Sequence, residues 1–146
     1  MTEEMESQAA LVSTFYVGGV LCALDATSIQ EVVRVRPVTR VSHAPSYVLG
    51  VTNLRGRIIT VIDLAHKLGL GAGQVTSSSR LYIVRDRDEV VGFLVDRAAD
   101  VVDLPQDELP AGSAGLPVES SRYIDGLGRL DHQLVLRLNP TEILEI

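Results

Sequence analysis

The residues able to do covalent or proton-transfer chemistry in this 146-residue chain are three histidines, one cysteine and a scatter of carboxylates. A hydrolase needs a nucleophile, a base and a group that orients the base, all held together. His43, His66 and His132 stand in separate loop and turn stretches, and none belongs to a His-Glu-x-x-His pattern. Cys22 sits inside the apolar run Val20–Leu24, where a thiol is an inert core group. Asp63 has the chemistry of a general base, but it directly precedes Leu64–Leu68, the place of a helix cap. Asp86, Asp88 and Glu89, like Asp107 and Glu108, lack the ligand spacing of a calcium loop. Gly69-Leu-Gly-Ala-Gly73 has no strand leading directly into it and no helix-forming sequence behind it, so it reads as linker rather than phosphate cradle. No cofactor and no metal are expected. The chain reads as a binding module, not an enzyme; a small-molecule sensor or enzyme is the remaining reading, and it lacks convergent polar groups.

One side chain is placed for recognition. Gly50-Val-Thr-Asn-Leu-Arg-Gly-Arg-Ile-Ile-Thr-Val-Ile-Asp63 is a β-rich stretch, a break at Arg55-Gly56 and a second β-rich stretch. That pattern predicts a tight hairpin, because glycine accepts a positive φ without steric cost. Arg55 then sits on the tip, held outward by backbone, where its planar fork can pair with a carboxylate or a helix C-terminus.

The elements that must carry this tip are read from composition and pattern. The chain is 46% hydrophobic and only 4% aromatic, so Val, Ile and Leu build the core, which favours β structure. A net charge of −6 argues against nucleic acid as a partner, since phosphate neutralisation supplies most of that affinity. No apolar run approaches the ~18 residues that cross a bilayer, and the acidic start lacks the basic n-region of a signal peptide, so no direct membrane insertion is expected. One cysteine permits no internal disulfide and points to a reducing compartment, the cytoplasm.

Along the chain, residues 1–10 read as a flexible acidic tail. Strands are expected at Leu11–Val17 and at Val20–Leu24, the latter apolar throughout and so buried on both faces. Asp25 with Thr27 and Ser28 suits the start of a short helical turn reaching Ile29 and Gln30. Glu31–Arg36 alternates as a half-exposed strand that Pro37 ends. Residues 69–79 read as the connection between two halves. Further strands are expected at Leu81–Val84, Val90–Val95 and Asp100–Leu104, then a long loop over 106–121, a second hairpin from Tyr123 to Leu138 and a terminal turn over 141–146. The two hairpins repeat: Tyr47 and Tyr123, Gly50 and Gly126, Leu54 and Leu130, Ile58 and Leu134, Ile59 and Val135, and Asp63 and Asn139 are all 76 positions apart, as 123 is from 47. Two copies are too few for a solenoid, and two small barrels of about five strands each are the natural reading. Barrel one is expected over roughly 15–70 and barrel two over 80–138, with the last strand and the C-terminal segment crossing between them. The tips differ, Arg55-Gly56 in the first and Asp131-His132 in the second, either because the first holds the distinctive chemistry or because surface loops drift.

Gly50-Val-Thr-Asn-Leu-Arg-Gly56 followed by Ile58-Ile-Thr-Val-Ile-Asp63-Leu64 resembles the signature of CheW-like adaptor domains of bacterial chemosensory systems. The likeness continues through Phe15, Gly18, Leu24, Ile29-Gln30-Glu31-Val32, Val38–Val41, Ala44-Pro45, Val90–Asp96, Asp100–Val102 and Tyr123–Gly128, and covers residues 11–146. It implies a single domain of two SH3-like five-stranded β-barrels with short helices, without catalytic activity. It implies an adaptor coupling the cytoplasmic tip of chemoreceptors to the regulatory domain of a CheA-type histidine kinase, in the cytoplasm at receptor arrays. Carried over by motif, the receptor-binding residues are Arg55 and Glu31, with Ile29 a neighbouring apolar contact; the kinase-facing residues are not assigned. Glu31 is also able to pair with Arg55 inside the protein; the interface is the reading preferred, and the two roles are compatible. The alternative is a receptor-only adaptor of a chemosensory-like pathway for motility, pili or regulation, one that does not engage the kinase.

Overall fold

The computed structural model describes residues 9–105 and 118–145. Most of the expected tail and of the loop expected over 106–121 lies outside these residues. Two ends of those expectations are corrected: residues 9 and 10 already belong to the first strand, and Val118–Tyr123 forms a 3-10 helix.

Among the described residues ten strands follow in order: β1 (Ala9–Val17), β2 (Val20–Asp25), β3 (Ile29–Arg34), β4 (Val48–Leu54), β5 (Arg57–Asp63), β6 (Arg80–Asp86), β7 (Glu89–Val95), β8 (Arg97–Pro105), β9 (Ile124–Leu130) and β10 (Gln133–Leu138). Among the described residues two short α-helices, α1 (Leu64–Lys67) and α2 (Pro140–Leu144), close the two halves. The turn after β2 is a 3-10 helix limited to Ala26–Ser28, and Asp25 makes no side-chain cap there. Ile29 and Gln30 instead begin β3. Asp25 accepts a 2.5 Å bond from Arg137 Nη2.

The strands form two five-stranded sheets, ordered β8-β1-β2-β10-β9 and β3-β6-β7-β5-β4. This corrects the expected division at residues 70 and 80. The second sheet is built from the contiguous stretch β3–β7, and the first is assembled from the flanks, β1–β2 and β8–β10. The linker therefore joins two strands of one sheet. The reason is the pairing. Hairpins such as β4–β5 and β9–β10 are encoded by their turns, but β10 enters parallel to β2 and β5 parallel to β7. Parallel neighbours carry no local turn signal.

The repeat survives this rearrangement. Exchanging β1, β2, β8, β9 and β10 for β6, β7, β3, β4 and β5 converts one strand order into the other. Asp63 N donates to Tyr47 O at 2.7 Å, and Asn139 N to Tyr123 O at 2.8 Å. Asp63 caps α1 by accepting from His66 N, and Asn139 caps α2 by accepting from Thr141 N and Glu142 N.

Alternation along the strands sorts the apolar side chains into three clusters. Leu54, Ile59, Val61, Leu81, Ile83 and Leu94 fill the hollow of the second sheet. Val12, Leu21, Ala23, Leu104 and Val135 fill that of the first. Each sheet thus wraps around its own core, the arrangement of an SH3-like barrel. The opposite faces meet in a third and larger cluster containing Phe15, Cys22, Leu24, Tyr82, Phe93 and Leu136. Strands β2 and β7 supply both kinds of cluster, which is why they read as continuous apolar runs.

Candidate functional site

The site is assembled on the second sheet, from β3 and the β4–β5 hairpin. The hairpin register pairs Leu54 with Arg57, leaving Arg55 and Gly56 as a two-residue tip. Their φ values are 53° and 84°. Both are left-handed, as the right-handed twist of flanking strands requires of such a turn. Asn53 Oδ1 accepts the Gly56 amide at 2.8 Å.

In strand order β3 and β4 are opposite edges, yet the chain after β3 folds back onto β4. Thr52 Oγ1 donates to Pro37 O at 2.8 Å, and Thr39 and Val51 exchange two backbone bonds of 2.8 Å each. Gly50 makes this approach possible. Its φ is 148°, and a Cβ there would lie 2.1 Å from Thr39 O. The seam brings Glu31 and Arg55, 24 positions apart, into a bidentate pair: Arg55 Nη1 donates to Glu31 Oε2 at 2.5 Å and Nη2 to Oε1 at 2.7 Å.

Arg55 remains 64% exposed at its side chain and Glu31 30%. The pair therefore lies at the surface, and most of the Arg55 side chain stays open to solvent. Its hydrogen bond from Arg55 holds the Glu31 carboxyl below its ordinary 4.5, with the charges of Arg55 and Arg36 adding to the effect and desolvation opposing it. The same bond raises Arg55. A carboxyl whose folded pKa is depressed keeps its pairing above the ordinary value and loses it as pH falls through the folded one. An NMR titration is expected to find the Glu31 carboxyl titrating below the ordinary carboxylate value, with Arg55→Ala returning it toward that value. An unchanged midpoint in that variant would contradict the pair.

Ile29 is half-buried and packs against the large shared cluster, so it backs the site more than it lines its outer face. Two exposed apolar residues escaped the sequence reading: Val32 (42% exposed), next to Glu31, and Ile58 (66%), directly across from Asn53. The signal was present in Ile58-Ile59, since adjacent strand residues point to opposite faces and only one can enter the core.

The other reactive side chains are placed structurally. Asp63 is buried and occupied by the amides of His66 and Gly73. Cys22 is buried, and burial, helped by the charge of Asp96, pushes its thiol up to about 12. His66 is exposed, with Nε2 3.0 Å from Ser46 Oγ. Among the described residues no group of three or more His, Cys, Asp or Glu side chains could hold a metal ion. No helix among them is long and apolar enough to cross a membrane. The second tip has the same backbone, Asp131 at φ 47° and His132 at 70°, without the arginine.

Comparison with known proteins agrees with this architecture. The family model described as CheW-like domain matches residues 12–146. The chain is 33% identical over 131 residues to the chemotaxis protein CheW of Helicobacter pylori, covering 90% of this chain and 79% of that protein. It is 28% identical over 145 residues to the chemotaxis protein CheW of Bacillus subtilis, covering 99% and 92%. The crystal structure of the scaffolding protein TtCheW from Thermoanaerobacter tengcongensis superposes with a TM-score of 0.79 at 27% identity, covering 94% of this chain and 89% of that one. The nested sheets, the hairpin signature and a match across nearly the whole chain lead to one conclusion: this protein belongs to the CheW-like family.

Proposed function

We propose that the protein is a non-enzymatic adaptor that couples chemoreceptors to a CheA-type histidine kinase in a bacterial chemosensory pathway. The observation that carries this reading is the family match over residues 12–146, alongside relatives named as chemotaxis proteins and a structural neighbour titled a scaffolding protein. The partners are the cytoplasmic tip of a chemoreceptor and the regulatory domain of the kinase, and the place of action is the cytoplasmic face of receptor arrays. Arg55 and Glu31 form the receptor-facing pair, with Ile29 behind them. An arginine fork fixed by Glu31, on a side chain mostly open to solvent, suits a carboxylate on a rigid helical partner, because little side-chain freedom is left to lose on docking.

Calorimetric titration of the protein with a receptor-tip fragment and, separately, with the kinase regulatory domain tests the proposal. Association with both is expected at or below ~100 μM, within reach of interfaces of ordinary size. Binding to the receptor alone would replace it with the receptor-only adaptor. Binding to neither would end it.

A further inference from the structure

The pair that presents Arg55 depends on a turn that an arginine does not favour, since a non-glycine residue rarely adopts a positive φ. The first tip has a device that stabilises this turn. Asn53 Oδ1 accepts the amide of Gly56 at 2.8 Å, so a side chain one position before Leu54 closes a ring around Arg55 from beneath. The second hairpin is its natural comparison. There the position equivalent to Asn53 is Arg129, which pairs across the strands with Leu134 as Asn53 does with Ile58. A guanidinium has donors only and can accept no amide. The second tip keeps the same left-handed pair of residues without this bond. The acceptor is therefore matched to the tip that carries the arginine, not to the turn type.

We propose that Asn53 is a positioning residue: its amide oxygen fixes the Arg55-Gly56 turn so that the guanidinium is held in its two-pronged pairing with Glu31 and aimed at the partner. Asn53 is itself exposed, and its amide oxygen bonds the tip backbone rather than Glu31, so its influence passes through the backbone of the tip. Arg55 needs this help because most of its side chain is in solvent and Glu31 is its only ion-pair partner among the described residues. The inference rests on the reading of Arg55 as a partner-facing residue, and the test separates the two.

The experiment compares wild type, Asn53→Ala and Asn53→Asp by the NMR signal of the Arg55 guanidinium Nη protons, which make the pair with Glu31, and compares these three, Arg55→Ala and the double variant Asn53→Ala with Arg55→Ala by titration with a receptor-tip fragment. In the wild type the signal is expected to be dispersed and slow to exchange. It should collapse toward that of free arginine in Asn53→Ala and return in Asn53→Asp, whose carboxylate oxygen accepts the same amide. Affinity for the fragment should fall about three- to tenfold in Asn53→Ala, the range of one hydrogen bond, and recover in Asn53→Asp. Asn53→Ala should add nothing in the Arg55→Ala background, because a residue acting through Arg55 has no effect without it. An unchanged Arg55 signal in Asn53→Ala overturns the positioning role. So does an additive loss in the double variant. Normal binding by Arg55→Ala overturns the partner-facing reading instead, and the NMR comparison then still decides whether Asn53 positions the arginine.

Discussion

Arg55→Glu is expected to weaken binding to a receptor-tip fragment by about 100-fold or more, while the melting temperature stays within about 2 °C of wild type. The substitution removes the fork proposed to donate to a partner's carboxylate and places a second carboxylate opposite Glu31. Repulsion then acts twice, within the protein and across the interface. Stability should hardly respond, because the Arg55 side chain is 64% exposed and an exposed pair contributes little to folding. Titration calorimetry and a thermal melt on the same preparation make the comparison. Affinity for the kinase regulatory domain should be retained within about threefold, since that partner is assigned to no residue of the tip. Loss of both partners together, with an unchanged melt, would show that the tip serves the kinase as well. Unaltered receptor binding would remove Arg55 from the interface.

The second large effect concerns stability. Gly50→Ala is expected to cost about 3 kcal/mol or more in a denaturant titration, near the upper end for a single substitution. The added Cβ would stand 2.1 Å from Thr39 O and 2.7 Å from its carbonyl carbon, both backbone atoms that no rotamer change can move. A φ of 148° is also one that side-chain-bearing residues rarely adopt. Relief requires the segment after β3 to leave β4, which breaks both bonds between Thr39 and Val51. The damage should be local before it is global. Hydrogen exchange at the Thr39 and Val51 amides is expected to accelerate more than at Tyr82 or Phe93, which are buried in the shared cluster. A loss below 1 kcal/mol would mean that the seam closes in another way.

These two residues mark how much of the molecule was legible beforehand. The hairpin was readable, because a glycine in a two-residue break between β-branched runs admits few backbones. So was the 76-residue repeat, and Asp63 as a helix cap. What could not be read was proximity. The pairing of Glu31 with Arg55 had been open as one reading, but the seam that makes it, closed by Thr52, Thr39 and Gly50 between opposite sheet edges, is encoded by no periodicity. The division into barrels was misplaced for a related reason. A repeat identifies equivalent strands but does not say which copy supplies the neighbour, and the parallel joins β2–β10 and β5–β7 lie far apart in sequence. Ile58 was hidden by composition, since an apolar run looks like core until register assigns its faces.

The nesting of one sheet within the other also governs the order in which the protein can be made. As the chain leaves the ribosome, β1 and β2 emerge before β3–β7, but the three strands that complete their sheet emerge after them. Strands β3–β7 can pair among themselves as soon as residue 95 is clear. During that interval the N-terminal hairpin has its turn but neither of its lasting neighbours, and Phe15, Cys22 and Leu24 still lack the part of their cluster that Tyr123, Ile124, Leu127, Leu136, Leu138 and Ile143 supply. At that length the chain holds every strand of one sheet and only a hairpin of the other, whose open edge is the kind of exposed strand that invites pairing with another chain.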